Sequence, residues 1–191
     1  KRFTVWHDRC AMKVGTDGVL LGAWCGLPRV NGECVHVLDI GTGSGLIALM
    51  LAQRLEKETQ CFAIRGIDIE PSAVEQSRIN FEASPWASHL SAHNCSLQEL
   101  VNDGGYDLIV SNPPYFQNSL KNPDKGRATA RHTDSLSYAE LLAHAKRLLK
   151  NDGTLSLILP AAAESEILEL AKINQLDPTH ITYVHSKEGK P

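Results

Sequence analysis

The chain has 191 residues, of which 42% are hydrophobic and 21% are charged, and its net charge is −3. A chain of this length can bury one substantial core, so we expect a single globular unit. The slightly acidic balance gives no general attraction for nucleic acid, and any such binding must therefore be local.

The sequence carries no signal of membrane insertion, secretion or metal binding. No apolar run approaches the roughly 20 residues that span a bilayer, and the first ten residues lack the apolar core of a signal peptide. We expect a soluble, cytoplasmic protein that binds no metal, with a monomer as the default oligomeric state. The widely spaced cysteines contain no C-x-x-C pair, which favours reduced packing residues over a disulfide framework or a zinc site: Cys10, Cys25, Cys34, Cys61 and Cys95.

From residue 35 onward, short β-type runs alternate with helical patterns. The run "VHVLDI" (35–40) is typical of a buried strand and is followed by a glycine-rich turn and an apolar helix, "LIALMLAQRL" (46–55). A second strand (61–69) leads to a helix (71–81) with Pro71 at its first position. The later predicted elements are strands at 89–95, 106–112, 154–160 and 180–186, a helix from a capping box at Ser137 and Glu140 to residues 151–153, and a helix at 161–174.

This alternation predicts an α/β fold with a doubly wound, mostly parallel sheet. We divide the chain into an N-terminal segment (residues 1–34) and one domain (residues 35–191). The last residues, "KEGKP", resemble a turn after the sixth strand, so we expect the final strand of a terminal hairpin to lie beyond this chain.

A glycine-rich turn follows the first strand in "VLDIGTGSGL", with Asp39, Gly41, Gly43 and Gly45 at alternate positions. Glycines there let the backbone adopt positive φ and approach a ligand closely. The dinucleotide fingerprint G-x-G-x-x-G does not fit, because Leu46 occupies its last position. No lysine follows the glycines, so a phosphate-binding loop of the G-x-x-x-x-G-K type is also excluded.

An acidic residue ends the second strand in "GIDIEP". Asp68 can accept hydrogen bonds from both hydroxyls of a ribose, which indicates a nucleoside cofactor. The alternative is that Asp68 or Glu70 only caps the helix that starts at Pro71. We assign Asp68 to the ribose and Glu70 to the cap.

The fourth strand ends in "SNPPYF" (111–116). In an open parallel sheet, ligands bind beyond the carboxyl ends of the strands where the strand order reverses, which places Asn112 at the cofactor. The Asn112 side-chain oxygen and the Pro113 carbonyl can each accept an N–H of a planar amine, and Pro114 restricts Pro113 to an extended backbone. Tyr115 can stack on a purine, with Phe116 behind it. A rigid turn with an anchoring aromatic is the simpler alternative.

The segments "VLDIGTGSG", "GIDIEP" and "SNPPYF" together resemble the amino-methylating class I S-adenosylmethionine-dependent methyltransferases. The stretches "FTVWHDRCAMKVGTDGVLLGAW" and "ATARHTDSLSY" make the chain similar to the bacterial valine tRNA adenine-N6 methyltransferases. The resemblance implies a Rossmann-like fold, S-adenosyl-L-methionine as cofactor and tRNA as partner. It further implies methylation of N6 of the adenosine 3′ of the anticodon.

The resemblance and the residues together give the candidate site. Lys13, Thr16 and Asp17 are expected over the cofactor, with Thr16 and Asp17 near its methionine end, although either one can instead be an N-cap. The candidates for the place near the adenine, after the third strand, are Asn94, Cys95 and Ser96, and we assign Cys95 to it. The cofactor set is Lys13, Thr16, Asp17, Asp39, Gly41, Thr42, Gly43, Gly45, Asp68, Ile69, Cys95 and Asn112, and the catalytic set is Asn112, Pro113, Pro114 and Tyr115.

Residues 117–132 contain four basic residues and one acidic residue, a local charge of +3. Beside a purine pocket, such a loop can bind phosphate, and a solvated loop is the plainer alternative. We expect Arg127, Arg131 and His132 to contact the substrate, together with Tyr115 and Phe116.

Other functions share part of this pattern. Methylation of glutamine in release factors uses the same Asn-Pro-Pro-Tyr motif, but those enzymes carry a helical substrate domain, whereas 34 residues precede the first strand here. Guanine-N2 methylation of ribosomal RNA is a second alternative, whose enzymes often have Phe in place of Tyr115. A non-catalytic cofactor-binding subunit typically loses part of the glycine turn or the Asn-Pro-Pro set, and both are present.

Overall fold

The computed structural model describes residues 2–102, 104–113 and 136–185. The chain divides into two compact units, one formed by residues 1–113 with 147–158 and the other by residues 114–146 with 159–191. The first unit contains the entire sheet, and each unit is described by itself. The boundary between the N-terminal segment and the domain at residue 35 stays a prediction.

Within the described residues, the sheet of the first unit has five strands: β1 (Val35–Ile40), β2 (Phe62–Asp68), β3 (Leu90–Asn94), β4 (Tyr106–Ser111) and β5 (Leu149–Leu157). They lie in the order β3-β2-β1-β4-β5, and every neighbouring pair is parallel. The strand order therefore reverses between β1 and β4. The predicted doubly wound parallel α/β fold is confirmed.

The first unit also contains the helices α1 (Thr16–Trp24), α2 (Leu46–Leu55) and α3 (Pro71–Glu82) and a short 3₁₀ turn at Ala87–His89. Helix α4 (Tyr138–Leu148), except for its last two residues, belongs to the second unit, together with a 3₁₀ turn at Ala161–Ala163 and α5 (Glu164–Ile173). Helix α1 packs on α2, and α3 packs on β2 and β3. At the start of α4, Ser137 and Glu140 bond each other's backbone N–H, which is the capping box expected from the sequence.

The core of the first unit forms where β1, β2 and β4 meet α2. Its fully buried side chains include Val37, Leu51, Leu55, Leu108 and Val110. Central parallel strands are covered on both faces, which explains why their sequences are nearly continuous apolar runs. Each such side chain contributes about 1.5–3 kcal/mol of apolar burial.

None of the helices in the described ranges has both the length and the apolar character needed to cross a bilayer.

The turn expected at residues 151–153 lies inside a strand instead of between α4 and β5. Helix α4 ends at Leu148, and β5 begins at Leu149. The pairing with β4 shifts between Tyr106 and Leu108, so the three polar residues form an irregularity in the ladder. Gly153 is required there, because a Cβ on it would lie 2.6 Å from the Tyr106 carbonyl oxygen.

The predicted sixth strand is not formed in the described part of the segment, residues 180–185. Its apolar side chains are exposed, with Ile181 at 52%, Tyr183 at 59% and Val184 at 55%. A β-strand forms only beside a neighbouring strand with which it makes hydrogen bonds. None of the five strands of the sheet comes from this segment. The prediction was wrong for these residues.

The expectation that all five cysteines are reduced was also wrong. Cys34 and Cys61 form a disulfide with 4.7 Å between their Cα atoms. They directly precede the paired residues Val35 and Phe62 of two adjacent parallel strands. The two cysteines are 27 residues apart in the sequence, with a whole strand and a helix between them. The sequence pattern therefore does not show that they are neighbours. Cys10, Cys25 and Cys95 are free.

Candidate active site

The candidate site lies at the carboxyl ends of β1, β2 and β4. The last residues of β1 pair with both neighbours, since Ile40 lies opposite Ile67 of β2 and Ser111 of β4. The chain leaves these three strands as the glycine turn, the Asp68 segment and the Asn112 segment. All three are therefore brought to one edge of the sheet, at the reversal of strand order where open α/β sheets bind ligands.

The glycine turn is anchored to β2 and opens toward solvent. The Gly41 and Thr42 N–H groups both donate to the Ile67 carbonyl, at 2.9 and 3.0 Å. Gly41 and Gly43 have φ of +69° and +54°, and a Cβ on either would have no heavy atom closer than 3.9 Å. Gly45 has φ of +77°, and its Cβ would lie 2.4 Å from the Phe81 ring. Gly45 is thus required by packing, whereas Gly41 and Gly43 leave open space beside the backbone.

Asp39 lies beneath this turn and is fully buried. Its Oδ2 accepts a hydrogen bond of 2.8 Å from the Thr42 hydroxyl. Its Oδ1 has no partner of good geometry among the described residues. Burial raises the pKa of Asp39 to about 7, the Thr42 hydroxyl and the Ala48 N–H oppose this rise, and the charge of Asp68 adds to it. Asp39 therefore supports the turn from inside the protein.

Thr42 is turned inward. Its side chain is 6% exposed, and a Cβ on Gly66 would lie 2.7 Å from its hydroxyl oxygen. The absence of a side chain at residue 66 of β2 makes room for Thr42. The side chain of Thr42 thus links the turn to β1 and β2.

Asp68 joins the end of β2 to the glycine turn. Its Oδ2 accepts from the Gly43 N–H at 2.9 Å, and its Oδ1 accepts from the Glu70 N–H at 3.0 Å. A carboxylate has about four acceptor positions, so each oxygen can accept one further hydrogen bond. The predicted capping role of Glu70 was wrong: Glu70 occupies the N-cap position of α3 without a side-chain capping bond, and Asp68 accepts its N–H.

The segment after β3 lies beside Asp68. The Asn94 side-chain amide donates to the carbonyls of Asp68 and Ile69, both at 2.9 Å. Ile69 is 52% exposed, and Cys95 is a half-buried free thiol. Burial and the charge of Glu99 raise the pKa of Cys95, which keeps it a neutral thiol. The expected neighbours of an adenine are therefore an exposed Ile69 and a neutral Cys95.

Asn112 follows β4 directly and is half-buried. The hydroxyl of the preceding Ser111 donates to the Ile40 carbonyl at 2.9 Å, and the Ser111 carbonyl accepts from the Ile158 N–H at 3.3 Å. A Cβ on Gly18 of α1 would lie 3.9 Å from Asn112 Nδ2, so α1 packs beside the Asn112 side chain. Pro113 is buried.

Several predicted site residues lie outside the described ranges: Pro114, Tyr115, Phe116, Arg127, Arg131 and His132. Their roles stay predictions. Within the described ranges, no group of three or more His, Cys, Asp or Glu has an arrangement that could hold a metal ion.

The N-terminal segment is part of the first unit and contains three of the predicted cofactor residues. Lys13 Nζ donates to the carbonyls of His7 and Asp8, at 2.9 and 3.2 Å. Thr16 and Asp17 are the first two residues of α1, and the N-cap is Gly15 without a side-chain capping bond, so the N-cap alternative for Thr16 and Asp17 was wrong. Burial, followed by the charge of Asp68, raises the pKa of the Cys10 thiol.

Three buried polar residues that support the elements around the site were missed from the sequence. Ser111 bonds β1, and Gln76 and Asn80 on α3 are buried amides that bond the N-terminal segment. The polar residues Gln76 and Asn80 stand four apart in a helix, so they share one face. Two polar residues on the buried face of a helix were the signal that could have identified them.

The parallel sheet, the glycine turn and the two polar strand ends define a methyltransferase of the Rossmann-like class. The profile of the methyltransferase small domain family matches residues 27–176. The ribosomal protein L11 methylase of Lactobacillus delbrueckii subsp. bulgaricus has a similar fold, with a TM-score of 0.59, 18% identity and coverage of 88% of this chain and 72% of that one. A geranyl diphosphate methyltransferase solved with sinefungin gives a TM-score of 0.61 at 14% identity, covering 86% and 59%.

Curated relatives define the family more narrowly. The tRNA1(Val) (adenine(37)-N6)-methyltransferase of Parabacteroides distasonis is 47% identical over 186 residues, covering 96% of this chain and 75% of the relative. The enzyme of the same name from Edwardsiella ictaluri is also 47% identical, covering 100% and 75%. The chain belongs to the tRNA1(Val) (adenine(37)-N6)-methyltransferase family, and the family expected from the sequence is confirmed.

Proposed function

We propose that this protein transfers the methyl group of S-adenosyl-L-methionine to the exocyclic N6 amine of an adenosine in a valine tRNA, at the nucleotide 3′ of the anticodon. The observation that carries the proposal is the placement of Asn112 and Pro113 at the reversal of strand order, beside the glycine turn. The names of relatives that are 47% identical support the choice of substrate.

The described residues fit a nucleoside cofactor. The open space beside Gly41 and Gly43 can admit a ligand against the backbone. The two remaining acceptor positions of Asp68 suit the two hydroxyls of a ribose. Ile69 and Cys95 offer an apolar border for an adenine. By family resemblance, Lys13, Thr16 and Asp17 are expected over the cofactor, with Thr16 and Asp17 toward its methionine end.

Bound S-adenosylmethionine supplies a methyl group on a sulfonium that is already a good leaving group. The protein mainly has to orient the nucleophile. The Asn112 side-chain oxygen accepts one N–H of the adenine amine, and the Pro113 carbonyl accepts the other. These two acceptors direct the nitrogen lone pair and stabilise the positive charge that develops on nitrogen. Pro113 is buried and has a fixed φ, and the Pro114 that follows it restricts its ψ to extended values, so the direction of its carbonyl is restricted.

Recognition of the RNA rests on the loop that follows. We propose that Tyr115 stacks on the target base, with Phe116 behind it, which is worth about 1–3 kcal/mol on the usual scale for base stacking. Arg127, Arg131 and His132 are assigned to phosphate contacts. These contacts position the tRNA, whereas the Asn112 pocket selects the amine.

The test is a methyl-transfer assay with tritiated cofactor on tRNA that lacks this modification, with peptide release factor assayed in parallel. Nucleoside analysis of the labelled tRNA should give N6-methyladenosine and no label on the release factor. Label on the release factor alone would assign the same pocket to a glutamine amide and overturn the tRNA substrate.

A further inference from the structure

Helix α3 presents two buried amide side chains one turn apart. Gln76 is 2% exposed, and Asn80 is fully buried. A buried amide costs free energy unless its donors and acceptors are paired, so the partners of these two side chains show what the sequence requires at these positions.

Asn80 bonds two separate parts of the chain. Its Nδ2 donates to the Trp6 carbonyl at 2.7 Å and to the Ser44 carbonyl at 2.8 Å, and its Oδ1 accepts from the Trp6 N–H at 3.0 Å. Both amide hydrogens are thereby used. Asn80 thus fastens the N-terminal segment and the glycine turn to the same point on α3.

Among the residues that the structure describes, Gln76 bonds the N-terminal segment and not the glycine turn. Its Oε1 accepts from the Arg9 N–H at 3.2 Å, and an ion pair between Arg9 and Glu75 holds the same part of the N-terminal segment. Gln76 therefore fastens the segment without a bond to the glycine turn. The two amides differ in this one respect, and Gln76 is a natural control for Asn80.

The hydrogen bond from Asn80 reaches the glycine turn at a carbonyl that is flanked by two glycines with positive φ. The Ser44 carbonyl lies between Gly43 and Gly45, whose φ values are +54° and +77°. Glycine peptides rotate easily, so a fixed carbonyl between them restrains the direction of the turn.

We propose that Asn80 is a positioning residue for the cofactor, because it holds the glycine turn and the N-terminal segment in fixed relation before the cofactor arrives. The proposal rests on the proposed function, in which these two parts border the S-adenosylmethionine site. Preorganisation of both borders removes an ordering cost from binding, so Asn80 acts on cofactor affinity through the turn and without touching the cofactor.

The first test compares Asn80→Ala and Asn80→Ser with Gln76→Ala. Affinity for S-adenosylhomocysteine is measured by titration calorimetry, and thermal melting records stability. We expect the Asn80 variants to bind about tenfold more weakly and Gln76→Ala to remain within about threefold of the wild type. A purely structural role would reduce the number of binding sites and leave the Kd of the folded protein unchanged. Wild-type Kd in either Asn80 variant would overturn the proposal.

A second test needs no variant and remains available if the Asn80 variants do not fold. Coupling is reciprocal, so a cofactor that binds better when Asn80 holds the turn must in return stabilise that arrangement. When S-adenosylhomocysteine is added to the wild-type protein, hydrogen exchange should slow at the Trp6 N–H, which donates a hydrogen bond to Asn80 Oδ1. Unchanged exchange at Trp6 in the saturated protein would contradict the proposal.

The wild-type titration separates the two levels of the argument. A wild-type protein that does not bind S-adenosylhomocysteine would overturn the proposed function, and the positioning role of Asn80 with it. Binding by the wild type together with unchanged binding by the Asn80 variants would overturn the positioning role alone.

Discussion

The hydroxyl of Ser111 donates a 2.9 Å hydrogen bond to the carbonyl of Ile40, its partner in the register between β4 and β1. Asn112 follows the first of these residues, and Gly41 follows the second. The two loops that border the proposed site therefore start from one hydrogen-bonded pair, and a displacement of one strand end moves both loops.

Replacement of Ser111 by alanine should lower kcat about three- to tenfold, because the lost bond fixes the origin of the Asn112 segment. Ser77→Ala is the matched control, since the Ser77 hydroxyl is equally buried and makes a 2.9 Å bond to the Val74 carbonyl inside α3. Steady-state methyl transfer measures both. Equal losses of kcat would refute the special role of Ser111.

Asn112→Ala should reduce kcat about 100- to 1000-fold, the range seen when one preorganised group that stabilises transition-state charge is removed. The Kd for S-adenosylhomocysteine should change much less, because the Gly41, Gly43 and Asp68 contacts remain. Single-turnover methyl transfer with a parallel titration checks this. Full activity in Asn112→Ala would end the proposed mechanism.

Asp68→Asn should weaken cofactor binding about 10- to 100-fold. The amide group that replaces one oxygen is a donor, and it would face either the Gly43 N–H or the Glu70 N–H as well as a ribose hydroxyl. Glu70→Gln is the control, because Glu70 is exposed and makes no side-chain capping bond. Titration with S-adenosylhomocysteine should separate the two variants, and similar affinities would argue against Asp68 as the ribose ligand.

The glycines of the turn should respond differently to alanine. In Gly41→Ala the added Cβ has no neighbouring atom within 4 Å, but an alanine backbone is strained at φ of +69°. We expect a loss of about 1–2 kcal/mol in the free energy of unfolding. Gly45→Ala adds a Cβ 2.4 Å from the Phe81 ring, and overpacking of this kind raises the loss to about 2–5 kcal/mol. Urea denaturation measures both. Equal losses would show that the Phe81 contact is unimportant.

Asp39 should make stability depend on pH. The folded protein keeps the Asp39 proton up to about pH 7, whereas the unfolded chain releases it near the ordinary value of 3.8. The contribution of Asp39 to stability is therefore fully present below pH 4 and declines as pH rises toward 7, by up to about 1.4 kcal/mol per pH unit.

Asn at position 39 cannot ionise and can still accept from the Thr42 hydroxyl. The stability of Asp39→Asn relative to the wild type should thus increase between pH 4.5 and 7 and then level off. Urea denaturation of both proteins across that range measures the difference. A difference that does not change with pH would mean that the Asp39 carboxyl is ionised throughout.

The sequence predicted the elements whose signals are local. The strand before Gly41, the strand that ends at Asp68 and the one that leads to Asn112 each combine an apolar run with a following polar residue, and their parallel order follows from the helices between them. These three strand ends carry the described part of the site, which is why the family was identifiable from short motifs.

Local errors also occurred, at the Glu70 cap and at the turn expected at residues 151–153, whereas the larger errors concern contacts between residues distant in sequence. The pairing of Cys34 with Cys61 depends on the register of β1 and β2, and the bonds of Asn80 depend on how the N-terminal segment crosses α3. The segment at residues 180–185 has strand propensity, but a strand also needs a neighbour. Local pattern contains none of this information.

The most direct test of the central claim is methyl transfer to two valine tRNA transcripts that differ at one nucleotide. One has adenosine at position 37, the nucleotide given in the names of the relatives, and the other has guanosine there. We predict that the first transcript is labelled as N6-methyladenosine and that the second, which lacks the 6-amino group, is not labelled. Equal labelling of the two transcripts would contradict the assignment of this pocket to the adenine amine.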